Sequence, residues 1–252
     1  MIKRLAIPWL VVLLLVGCGG SNTNMPGGDK ARAEGALRLG ASYLREGHYT
    51  PALRELLKAE QLDPNNAQVH NHLGLAYLAK DRNADSIKHF HRAIELNPKL
   101  SEAYNNMGTA YMRMGRFPEA LGAFRKALDD LLYATPQYAW NNIGLVYLDQ
   151  GLYDQALDAF DHALENSPRF GAAYNNKGRV YMAQNQLAPA LEAFNQAIKL
   201  EPKNSQAYLN LGEVYERMGR YDDAVYAYKK VTELSPDSQF ARTAAERLKA
   251  LR

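Results

Sequence analysis

Apolar residues recur at i, i+3, i+4 and i+7 throughout residues 33–238, twice in every repeating unit of the chain. That spacing gathers them on one stripe of a helix, so each unit is predicted to form two amphipathic helices. The N-terminus breaks the pattern. Leu5 to Val16 is apolar on all sides, interrupted only by Pro8, and follows the basic pair Lys3 and Arg4. These roughly twelve residues fall short of the ~20 that a helix needs to cross a bilayer, so the segment is predicted to be a secretory signal peptide. Gly19 to Gly28, reading GGSNTNMPGG, has no apolar period. Its composition predicts a flexible tether with a reach of roughly 17–19 Å.

The helical part is periodic. Six glycines, each followed three residues later by tyrosine, stand at Gly40, Gly74, Gly108, Gly144, Gly178 and Gly212, with spacings of 34, 34, 36, 34 and 34. Twelve residues beyond each glycine is a small side chain: Ala52, Ser86, Ala120, Ala156, Ala190 and Ala224. Four further on is a large one: Leu56, Phe90, Phe124, Phe160, Phe194 and Tyr228. Small residues let two helices approach, and the large ones fill the space beside them. Position fifteen of the unit holds Gly47, Gly115, Gly151 and Gly219, with Asp81 and Asn185 in the other two units. These residue types best tolerate the left-handed conformation that follows a helix end. Each unit is expected to close at a proline: Pro64, Pro98, Pro136, Pro168, Pro202 or Pro236.

This pattern resembles the tetratricopeptide (TPR) family. The resemblance implies an all-α solenoid of six helix-turn-helix repeats, at 33–66, 67–100, 101–136, 137–170, 171–204 and 205–238, stacked in a right-handed superhelix with a concave groove. Residues 29–32 are expected to begin the first helix. Residues 239–252 read as a capping helix, with Phe240, Ala244, Leu248 and Leu251 able to face the last repeat.

Leu15-Val16-Gly17-Cys18 resembles the lipobox of bacterial lipoproteins. The resemblance implies removal of residues 1–17 and acylation of Cys18, leaving 18–28 as lipidated cysteine and tether. Cys18 is the single cysteine, which excludes a disulfide within the chain. Gly19 rather than Asp after the cysteine resembles the outer-membrane class, so the expected location is the periplasmic side of the outer membrane, anchored by two or more acyl chains.

Composition adds little. At 47% apolar and 23% charged, the chain is no disordered segment, fibre or multi-span membrane protein. Its formal charge of +3 is not clustered, and Lys3 and Arg4 lie in the segment expected to be removed. Nothing points to nucleic acid.

In TPR proteins the first helix of each repeat lines the groove. Here position six carries Asn106, Asn142, Asn176 and Asn210, and position five carries Asn71, Asn105, Asn141 and Asn175. A side-chain amide both donates and accepts, so these columns can bond the backbone of an extended peptide; they can equally serve packing between helices. Leu75, Met112, Leu145 and Met182 at positions nine and twelve either add apolar contact in the groove or pack on the neighbouring helix. A mixed apolar and amide surface suits a protein segment better than a small charged ligand. The columns that hold Lys and Arg in carboxylate-clamp TPR domains carry Leu37, Ala41 and His72, so no such clamp is expected. No catalytic constellation, phosphate loop or metal site of usual spacing is present. The pairs His70/His72 and His89/His91 are i, i+2, too far apart around a helix to chelate one ion from one face. No cofactor, metal, small-molecule substrate or enzymatic activity is expected.

The third unit is longer by two residues, within Ala127-Leu-Asp-Asp-Leu-Leu-Tyr-Ala-Thr-Pro136. Leu131, Leu132 and Tyr133 are apolar, which is odd for slack in a loop. With Leu132-Tyr133, Pro136 and Asn142-Ile143-Gly144-Leu145, the lipobox and six repeats, the chain resembles the type IV pilus lipoproteins called PilF, PilW or Tgl. The resemblance implies a pilotin: an outer-membrane lipoprotein that binds a secretin subunit and promotes its localisation and assembly. The alternatives are a general periplasmic TPR scaffold for cell-wall or outer-membrane protein assembly, and a cytosolic TPR adaptor.

Overall fold

A computed structural model describes residues 28–251. The expected signal peptide, Cys18 and nearly all of the tether lie outside the described residues. Among the described residues there are thirteen helices: α1 (Gly28–Arg45), α2 (Tyr49–Leu62), α3 (Ala67–Ala79), α4 (Asn83–Leu96), α5 (Ser101–Arg113), α6 (Phe117–Leu128), α7 (Pro136–Asp149), α8 (Tyr153–Asn166), α9 (Gly171–Ala183), α10 (Leu187–Leu200), α11 (Ser205–Arg217), α12 (Tyr221–Leu234) and α13 (Gln239–Ala250). None is long and apolar enough to cross a membrane. The architecture is the all-α TPR solenoid.

Each repeat is a helical hairpin whose geometry follows from two positions. A Cβ built on Gly108 would lie 2.6 Å from Phe124 Cδ1. The large residue thus lies against the glycine backbone itself, and Phe90, Phe124, Phe160 and Phe194 are fully buried. Burying such a ring stabilises by about 1.5–3 kcal/mol. Position fifteen adopts positive φ in all six repeats, from 56° at Asp81 and Asn185 to 77° at Gly47. There the chain turns, and the amide of position sixteen bonds back to the position-eleven tyrosine carbonyl, as in Arg116 N–H to Tyr111 O at 2.9 Å. In three repeats that arginine also covers the tyrosine ring: Arg82 over Tyr77, Arg116 over Tyr111 and Arg220 over Tyr215, at 4.5–4.8 Å.

The first helices of successive repeats touch one another, α1 to α3, α3 to α5 and onward, whereas no two second helices meet. The first helices therefore form the inner, concave row. Neighbouring units share the core: Phe90 and Leu78 of one repeat cluster with Met107 and Phe124 of the next.

Two details differ from the sequence expectation. Pro136 does not close the third repeat; it is the first residue of α7, where its fixed φ and missing N–H suit a helix start. Ala244 and Leu248 of α13, with Leu251 just past its end, pack into the cluster around Tyr228 and Val231 of α12, and Ala241 is buried, while Phe240 is exposed. The three-, four- and three-residue steps from Ala241 follow the helical stripe, which Phe240 leaves.

Candidate functional site

The concave row carries the predicted asparagines, and they bond one another. Asn106 Nδ2 donates to Asn71 Oδ1 at 3.1 Å, Asn142 to Asn105 at 3.1 Å, Asn176 to Asn141 at 2.9 Å, and Asn210 to Asn175 at 3.0 Å. Each position-six amide thus reaches the position-five carbonyl of the preceding repeat. Asn71, Asn141, Asn175 and Asn176 are buried, and Asn105, Asn106, Asn142 and Asn210 are half-buried. The columns form a ladder between repeats, and only the amide atoms left over on the half-buried members remain for a ligand. Leu75, Met112 and Leu145 are half-buried and Met182 is buried, all four packed into inter-helix clusters.

Five of the predicted residues line one hollow. Asn71, Leu75, Asn105, Asn106 and Asn142 border a space of about 500 Å³ on the concave face, closed on one side by Tyr133, Thr135 and Tyr138. Met182 and Asn210 line a second, about 390 Å³, with Arg179, Glu213 and Arg217. Asn141, Asn175, Asn176, Met112 and Leu145 border neither.

The lengthened segment between α6 and α7 shapes two surfaces. Tyr133 turns inward against Ala127 and Ala139, and burial pushes its hydroxyl above the usual tyrosine range. Leu131 and Leu132 turn outward and are 98% and 90% exposed. They are not loose. Asp130 accepts from the Leu132 amide at 2.9 Å and from the Ser101 hydroxyl at 2.8 Å, and these two bonds lower its pKa. Beside the leucines is an open hollow of about 670 Å³ that includes Pro98, Tyr104 and Lys126. The sequence signalled the apolar run but not its division, because which side chain points inward depends on the loop's path.

The histidines separate as their spacing requires, and then regroup across helices. His72 bonds the Gln68 carbonyl on its own helix, and His91 approaches the Tyr111 hydroxyl at 3.3 Å. His70 and His89 instead meet, Nδ1 to Nδ1 at 3.3 Å, beside Glu60 Oε1 at 3.6 and 4.0 Å. These three come from α2, α3 and α4, and no intrahelical spacing reveals them. Burial lowers the pKa of His89, opposed in part by the Glu60 charge.

A tetratricopeptide-repeat family model matches residues 105–170 and 175–239, and further TPR models match 40–81, 65–131 and 147–198. The chain belongs to the tetratricopeptide-repeat family. Among solved structures, it is similar to Pseudomonas aeruginosa PilF, with 20% identity over 89% of this chain and all of that one, at a TM-score of 0.71. It is also similar to PilW, described as a widely conserved type IV pilus biogenesis factor, with 24% identity over 84% and 98% of the two chains and a TM-score of 0.74. A chain of the APC/C Cut9–Hcn1 hetero-tetramer matches 88% of this chain over 43% of its own, at 19% identity and a TM-score of 0.76. No curated protein sequence matches the chain.

Proposed function

We propose that this chain is a lipid-anchored pilotin: a protein-binding solenoid that grips a segment of a type IV pilus secretin subunit and, held to the outer membrane through Cys18, promotes secretin localisation and assembly. The observation that carries this reading is the pinned pair Leu131 and Leu132. Two adjacent, almost fully exposed leucines beside an open hollow, the Leu132 amide bonded to Asp130, suit the apolar face of a partner segment. Fold similarity to PilF and to PilW, a type IV pilus biogenesis factor, over nearly the whole of both chains supports a role in that system. Anchoring raises the local concentration of bound subunits and so favours their ring assembly.

The test is deletion of the gene, followed by probing for heat-stable secretin multimers. They are expected to disappear, and to stay absent on complementation with Leu131→Asp/Leu132→Asp, whose circular dichroism should match the parent. Unchanged multimers and normal pili in the deletion strain overturn the pilotin reading. Cys18→Ala is expected to abolish palmitate labelling and globomycin-sensitive processing.

A second reading is a general periplasmic scaffold, since the fold is not particular to pilus proteins and is shared with a chain of the Cut9–Hcn1 assembly. Retention of secretin multimers alongside loss of another envelope complex would select it.

A further inference from the structure

We propose that Glu60, His70 and His89 form a Zn²⁺ site that fastens the first repeat to the second. Three potential ligand atoms from three helices converge there, within 4.8 Å of one another. His70 Nδ1, His89 Nδ1 and Glu60 Oε1 form a triangle with sides of 3.3, 3.6 and 4.0 Å. A point inside that triangle lies about 2.1 Å from all three atoms, within the roughly 2.0–2.2 Å of Zn–N and Zn–O bonds. The 3.3 Å nitrogen separation is also close to one edge of a zinc-centred tetrahedron.

The surrounding bonds prepare the donors. His70 is 5% exposed, and its Nε2 lies 2.8 Å from the Pro64 carbonyl, which can only accept. Nε2 therefore carries the hydrogen, and Nδ1 presents its lone pair to the triangle. Donation of the second ring nitrogen to a carbonyl is how proteins orient a metal-bound histidine. His89 lies against the Tyr77 ring, 5.1 Å between centres, and meets His70 edge to edge through the two Nδ1 atoms. Glu60 is partly exposed.

Two imidazoles and one carboxylate suit Zn²⁺ and disfavour Mg²⁺ or Ca²⁺, which seek oxygen. Because Glu60 is on α2 of the first repeat and both histidines belong to the second, the ion would add a cross-link to a boundary already bridged by His70 to the Pro64 carbonyl, Lys80 to Thr50 and Arg92 to Asn65. Without metal, the same atoms form a histidine pair joined by one N–H···N bond.

The test uses the tag-free protein, stripped with EDTA and titrated with zinc chloride in a calorimeter. One equivalent is expected to bind. Glu60→Gln and His89→Ala should each weaken binding at least ~10-fold. His162→Ala, remote from the cluster, should leave binding unchanged. Zinc at about 100 times its Kd should raise Tm by roughly 5–10 °C in the parent and not in Glu60→Gln. Co²⁺ should give the intense visible bands of a four-coordinate ion. His70→Ala removes a buried ring and can unfold the protein, so the two less buried ligands carry the test. Absence of stoichiometric binding, or binding that Glu60→Gln and His89→Ala leave intact, overturns the site.

Discussion

At the residue scale, the two kinds of glycine make opposite demands. Gly144 faces Phe160 so closely that a Cβ would overlap the ring. Gly144→Ala is expected to destabilise by about 1–3 kcal/mol in urea unfolding, because the buried ring has nowhere to go. Gly122 lies mid-helix in α6 with nothing near its missing side chain. Gly122→Ala should therefore stabilise by about 0.5–1 kcal/mol through better helix propensity. Asp130 supplies a third test. The Leu132 N–H and the Ser101 hydroxyl bond its ionised form more strongly than its neutral one, and its pKa is depressed below 3.8. A depressed carboxylate stabilises above its unfolded value and loses that contribution as pH falls through its folded value. The Leu132 amide resonance should follow a titration centred below the ordinary aspartate range, and Asp130→Asn should remove that step. Of the three positions only Gly144 stood out in the sequence, by its place in the repeat, and the neighbours in the fold assign a sign to each substitution.

At the scale of elements, the asparagine ladder joins α3, α5, α7, α9 and α11. Its rungs differ in burial. Asn176→Ala removes the donor to Asn141, with both partners buried, and should cost more than Asn142→Ala, whose acceptor Asn105 is half-buried. Both are expected within about 1–3 kcal/mol in chemical denaturation, the first nearer the upper end. Combined replacement of Asn106, Asn142 and Asn176 should lower stability as well as any partner affinity, so binding must be compared at temperatures where each variant is folded. The asparagine columns were plain in the 34-residue frame. Their pairing was not, since positions five and six point to different neighbours within one helix and meet only when the next repeat is laid alongside.

At the scale of the whole molecule, contacts run only between adjacent units, so stability is local along the rod. Removing α13 uncovers the surface around Tyr228 and Val231 and frees the Tyr228–Glu216–Arg247 linkage. Truncation after Ser238 is expected to increase hydrogen exchange in α11 and α12 and to leave α3 to α6 protected. The sequence alone determined the helix pairs, their number, the turns of positive φ and the core positions, because each depends on spacing within one helix or one hairpin. Tertiary structure alone decided that the asparagines bond each other, that Tyr133 is buried while Leu131 and Leu132 are presented, and that Glu60, His70 and His89 converge. Those relations span separate helices, and they follow from how far one repeat is rotated and shifted on the next, a quantity no single-helix period encodes.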